Sequence, residues 1–239
     1  MAKIISLKKF FRQKEKPASF KRQHFLNQLP THRLEEILLF SEGDHLSGVW
    51  PSFVNKKVLF FNDQKHKYIF KKILAAEPGY LVNYVYRGDV GEQQTEYHTV
   101  LGDMDKLALR RHHFDIVICP FVLEDNAFVE SFTCLAAELV ENGSRVIMSV
   151  KHPALENIIF NQNPATAQVM EGAVSRYYSL LKENNLYTEE LKEGGVDLAL
   201  KAFFTDSEYD YYHEYKNTPI SLLFRTVKFM RKAAGSAEG

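Results

Sequence analysis

Cysteine is nearly missing: Cys119 and Cys134 are the only two in 239 residues, and both sit inside apolar runs. A disulfide framework is excluded and the pair has no metal-ligand spacing, so both read as reduced core residues of a cytoplasmic protein. Net charge is missing too, since 30 Lys and Arg face 30 Asp and Glu. No global field therefore selects nucleic acid or an acidic substrate. No apolar run approaches the ~18 residues of a membrane span, and MAKIISLKKFF lacks the continuous apolar stretch and cleavage site of a secretion signal. The last absence is local. The segment KKVLFFNDQKHKYIFKKIL, 56–74, reads as a buried strand running straight into a helix, and the turn between them contains no glycine.

What is present suits one sizeable core: 45% of the residues are hydrophobic and 13% aromatic. The charge balance is uneven along the chain. Residues 1–22 carry eight basic side chains against Glu15, a net +7 that leaves −7 for the remainder. Runs rich in Val, Ile, Phe and Tyr at 57–62, 80–88, 97–104, 114–122 and 144–150 have strand lengths. Amphipathic stretches separate the first two and the last two, the latter opening on the possible caps Asp125 and Asn126 and stopping at Asn142 and Gly143. Strands alternating with helices imply right-handed crossovers and a mostly parallel α/β sheet covered on both faces. After Pro153 the pattern turns helical, with TEELKEGG as a further short helix; two last strands, VDLALKAFF and PISLLFRTVKF, flank the tyrosine-rich TDSEYDYYHEYKN.

This order resembles the class I S-adenosylmethionine-dependent methyltransferase superfamily, type 11-like, over roughly residues 30–232. VLGDMDKLALRRHHFDIVICPFVLED is similar to its third-to-fourth-strand segment, and CLAAELVENGSRVIMSVKHP to its helix, turn and fifth strand. The resemblance implies a Rossmann-like sheet of seven strands, mostly parallel with an antiparallel last strand, and helices on both faces. It also implies a domain of 30–232 with a helical insertion at about 154–187, preceded by a basic arm of 1–29 and followed by a disordered tail of 233–239.

In that family the first strand ends in an acidic residue and a Gly-x-Gly-x-Gly turn, because glycine lets the backbone approach the cofactor with positive φ. Here Phe60 stands at the acidic position, with Asn62, Gln64 and His66 at the three glycines. Gln64 and His66 bring bulk into the space the cofactor would fill. The second strand ends at Arg87 and Gly88 where the family has an acid for the ribose. At the adenine end Asp103 and Met104 match the family pattern, though an Asp after Gly is equally an ordinary helix cap.

The residues following the fifth strand fall at the ligand crevice of open α/β sheets. His152 there is a candidate general base, against the plainer reading of a loop histidine before proline. Arg110 to His113 read as a solvated loop rather than a metal or phosphate site. Lys8, Lys9, Phe11 and Arg12 belong to an arm in which Ile4, Leu7 and Phe11 share one helical face, suited to an anionic membrane surface or to another protein. Tyr209, Tyr211, Tyr212 and Tyr215 form either a partner-binding surface or a cover for the last hairpin.

The expectation is a methyltransferase-fold protein without cofactor, acting as a binding or scaffold module for another protein. It is a pseudoenzyme in the cytoplasm, or peripheral to a membrane through its arm, and nucleic acid is disfavoured because the body is net acidic. The alternative is an active methyltransferase on a small molecule that holds S-adenosylmethionine in an atypical way.

Overall fold

The computed structural model describes residues 31–63, 65–86, 97–102, 109–153, 155, 167–195 and 219–230. Seven strands form one sheet: β1 (Lys57–Asn62), β2 (Tyr80–Val85), β3 (His98–Leu101), β4 (Phe114–Phe121), β5 (Val140–Lys151), β6 (Leu186–Gly195) and β7 (Pro219–Lys228). Their order is β3-β2-β1-β4-β5-β7-β6. β1 to β5 pair in parallel, while β7 runs antiparallel to both of its neighbours. The helices are α1 (Thr31–Ser47), α2 (Lys67–Ala75), α3 (Asn126–Leu139) and α4 (Ala167–Glu183). The seven strands and their directions are those the resemblance implies.

Alternation along the strands sorts the core into two layers. Val58, Phe60, Ile116, Ile118 and Ile147 pack with Leu46 of α1 and with Ile69 and Ile73 of α2. Leu59, Phe61, Val117, Cys119, Val146 and Met148 pack with Phe132 and Ala136 of α3 and with Tyr177 and Leu181 of α4. Phe60 and Phe61 therefore serve opposite faces, each fully buried. Complete burial of such a ring contributes about 1.5–3 kcal/mol. α3 starts where its cap is expected, the Phe128 N–H donating to Asp125 Oδ1 at 2.8 Å.

α1, which the strand-and-helix reading passed over, lies directly on α2. A Cβ on Gly43 would stand 2.7 Å from the Tyr68 ring and 2.8 Å from Ile69, so only glycine permits this approach. The Phe40 and Tyr68 rings meet beside it with centroids 4.4 Å apart.

The sixth strand departs from expectation. TEELKEGG reads as a helix because Glu, Leu and Lys are good helix formers, yet it is the body of β6. Cross-strand charge pairing and the ladder to β7 override that propensity. Glu189 meets Arg145 at 2.9 Å and Arg225 at 3.3 Å, and Glu190 meets Arg225 at 2.8 Å. These charges also blunt an edge strand against pairing with another chain. Residues 196–204, read as a strand, lie outside the described residues, as do the arm, the tyrosine cluster and the tail. Among the described residues no helix is long and apolar enough to cross a membrane.

Candidate functional site

Strand order reverses between β1 and β4, and ligands of open α/β sheets bind in the crevice outside the carboxyl ends at such a switch point. The tip of β1 is Asn62, whose Nδ2 donates to Asn83 Oδ1 of β2 at 3.0 Å with both side chains buried. Tyr86 follows β2. Its N–H donates to the Asn62 carbonyl at 3.1 Å, and its hydroxyl donates to Glu124 Oε1, beyond the end of β4, at 3.3 Å. Because β1 lies between β2 and β4, this side chain spans the tip of β1. Its ring rests against Phe128 and Phe132 of α3, with centroids 5.2 and 5.3 Å away.

The glycine-free turn joins β1 to α2. None of its described residues has positive φ. Asp63 Oδ1 accepts the Lys65 N–H at 2.9 Å, an Asx-type turn built by a side chain where the family uses backbone freedom. His66 then sits at the N-cap of α2 without a capping hydrogen bond, because its ring is committed elsewhere.

That ring is the centre of a buried charge cluster. His66 is 2% exposed and Glu42 is 0% exposed. His66 Nε2 lies 3.1 Å from Glu42 Oε2, and Nδ1 lies 2.6 Å from Asp63 Oδ1. The second contact is too bent for a well-directed hydrogen bond and acts as an ion pair. Glu42 Oε1 accepts the Val122 N–H from the loop after β4 at 2.9 Å and the Ser149 hydroxyl from β5. One carboxyl of α1 thus ties together the tips of three strands. Burial alone would push the His66 pKa down, but Asp63 and Glu42 outweigh it and raise it to about 9. Burial would push the Asp63 carboxyl up, and the His66 ring outweighs that and lowers it.

His152 lies at the end of β5, 7% exposed, its N–H donating to the Ile220 carbonyl at 2.9 Å. Its Nε2 is 3.5 Å from Glu193 Oε1 of β6, the acidic partner that sequence alone does not identify. Burial lowers its pKa, with Glu193 opposing in part. At the end of β3 a Cβ on Gly102 would stand 2.2 Å from the Tyr84 hydroxyl, so the Gly of the Gly-Asp pair is fixed by packing.

The structure brings Asn62 and His66 to the carboxyl edge but keeps Phe60 in the core, stacked on Phe70 with centroids 5.9 Å apart. Gln64, Asp103, Met104, Lys8, Lys9, Phe11, Arg12, Tyr209, Tyr211, Tyr212 and Tyr215 lie outside the described residues. Sequence reasoning missed Glu42, Asp63, Tyr86, Glu124 and Ser149. One signal was available: Leu38, Glu42 and Leu46 recur every four residues, which sets a carboxyl in the buried stripe of a helix, where it must find partners.

The edge fits a nucleoside-type cofactor in its chemistry. A carboxyl that is 7% exposed, Glu124, is paired with the Tyr86 hydroxyl beside an aromatic wall, and this set matches a ribose diol and a sulfonium.

No protein-family model and no curated protein sequence matches the chain. Solved structures do. An S-adenosylmethionine-dependent methyltransferase from Mesorhizobium loti superposes with a TM-score of 0.59 at 14% identity, covering 79% of this chain and 98% of the other. A Listeria monocytogenes protein assigned to the same enzymes gives 0.60 at 13% identity, covering 82% and 100%. A Haloferax volcanii protein solved with the methyltransferase activator Trm112 gives 0.60 at 12% identity, covering 83% and 92%. The fold is that of the class I S-adenosylmethionine-dependent methyltransferases. The expectation of no cofactor is corrected by these likenesses, since the structures the chain superposes on are S-adenosylmethionine-dependent methyltransferases. The His66 ring, at one of the positions the resemblance gives to glycine, is enclosed between Glu42 of α1 and Asp63 of its own turn.

Proposed function

We propose that this chain, built on the class I methyltransferase fold, is an S-adenosylmethionine-dependent methyltransferase acting on a small molecule through an altered cofactor seat. The single observation that carries the reading is the Tyr86–Glu124 pair at the switch point, a carboxyl and a hydroxyl presented beside aromatic rings. When bound, S-adenosylmethionine supplies an electrophilic methyl group. Methyl transfer asks the protein mainly for alignment, with a base if the acceptor is protonated.

The chain's residues divide those tasks. Glu124 would accept from the ribose hydroxyls of the cofactor, Tyr86 holds that carboxyl in place, and the Asn62–Asn83 pair fixes the tip of β1. His152, whose lowered pKa keeps the imidazole neutral at pH 7, is the residue suited to take a proton from an acceptor, with Glu193 holding the ring. The scaffold reading rested on missing cofactor-gripping residues as well as on bulk at Gln64 and His66, and the Tyr86–Glu124 pair offers a different grip. A protein partner at the basic arm or the tyrosine cluster stays compatible with methyl transfer, and the Haloferax volcanii protein solved with an activator supports one.

Calorimetric titration with S-adenosylmethionine and S-adenosylhomocysteine at pH 7 tests the proposal. Micromolar binding is expected, about −8 kcal/mol at 1 μM. Absence of binding up to about 1 mM, where the free energy is only about −4 kcal/mol, overturns it.

A further inference from the structure

A fully buried carboxyl at the carboxyl edge is neither a known site residue nor a packing residue. Glu42 is fully enclosed, yet it takes three partners from three separate elements: His66 at the start of α2, Val122 after β4 and Ser149 of β5. The two segments it joins, the β1–α2 turn and the loop after β4, flank the switch point where the cofactor is proposed to lie. A carboxyl in an apolar helix stripe is expensive to bury and survives only when its partners are complete. Here they are complete only because a histidine stands at position 66.

We propose that Glu42 and His66 are positioning residues that lock the β1–α2 turn to the loop after β4, performing with side chains what the glycine-rich turn performs with backbone, and so set the affinity of the cofactor seat. The inference rests on the proposed function and deepens it. His66 is faced by Asp63 from its own turn and by Glu42 from α1; Lys65 lies beside Asp63 and pairs outward with Glu35 at 3.3 Å. Loss of the imidazolium proton would leave two buried carboxyls facing one another across a neutral ring, and would weaken the tie between the β1–α2 turn and the carboxyl that anchors the loop after β4.

The test is S-adenosylhomocysteine affinity from pH 6 to pH 10 in the wild type and in Glu42→Gln and His66→Gln, with amide exchange at Val122 read in the same proteins. The wild type is expected to bind about tenfold more weakly at pH 10 than at pH 7. His66→Gln is expected to bind about tenfold more weakly at pH 7 and to lack the alkaline limb. Glu42→Gln keeps an acceptor oxygen but drops the charge, and should weaken binding while speeding Val122 exchange. A role confined to stability would shift thermal midpoints and leave the pH profile of affinity alone. Binding in the wild type that is independent of pH and equal in both folded variants overturns the inference and leaves the proposed function standing. A wild type that binds no S-adenosylhomocysteine overturns the proposed function and this inference with it.

Discussion

The two ends of the sheet each bury an ionisable side chain, and they treat it in opposite ways. At the carboxyl edge His66 is enclosed between two carboxyls and its pKa rises to about 9. At the amino edge Lys228 is 4% exposed and its Nζ donates to the carbonyls of Ala137 and Val140, the last turn of α3 and the start of β5. Burial lowers the Lys228 pKa, and Glu138 opposes only in part. Carbonyl dipoles cap a helix end but do not neutralise an ammonium, whereas two carboxyls outweigh the desolvation of an imidazolium. One end is closed by structure, and the other stores charge where ligands of this fold bind.

The strongest way to break the comparison is to remove the carboxyl edge's anchor. Glu42→Ala leaves the His66 charge with one partner and two donors unmet, and is expected to cost about 3–5 kcal/mol in urea unfolding at pH 7. A loss below about 1 kcal/mol would show that the cluster is not an energetic unit.

The pH dependence of unfolding sharpens the contrast. Because the folded pKa of His66 lies above its ordinary 6.5, its contribution is fully present below about pH 6.5 and is lost as pH rises through about 9. The raise corresponds to about 3 kcal/mol. Asp63, lowered from 3.8, contributes above that value and loses its contribution as pH falls through the lower folded one. Stability should therefore hold from about pH 4 to about pH 6.5 and fall from there to about pH 9, and His66→Gln should flatten that alkaline fall.

Lys228 gives the smallest effect and the opposite sign. With its folded pKa lowered from 10.5, folding gains as pH climbs through that folded value. Lys228→Met trades a poorly neutralised charge for an apolar chain of similar reach and is expected to change stability at pH 7 by about 1 kcal/mol or less. The alkaline fall of this variant should be steeper than that of the wild type, since the compensating group is gone.

Much of the sheet was legible because its strands are buried on both sides: KVLFFN and FDIVICPF are runs that two covered faces require, and the opposite orientations of Phe60 and Phe61 follow from a period of two. β6 was not legible, because its charges favour a helix until Arg145 and Arg225 stand across from them. The candidate site was half legible. Position alone marked Asn62, His66 and His152, yet bulk at the glycine positions was taken as obstruction. The direction in which His66 turns depends on Glu42, 24 residues upstream in a helix that periodicity did not reveal. A pairing of that kind is written in no local pattern.

The account turns on a charged His66 held between Asp63 and Glu42, and nuclear magnetic resonance titration of its imidazole in histidine-labelled protein reads this most directly. The account predicts a midpoint of about 9, displaced from the ordinary 6.5 by the two carboxyls. A midpoint at or below 6.5 would contradict it, since the ring would then be a neutral core histidine with no charge to hold the carboxyls of Asp63 and Glu42 together.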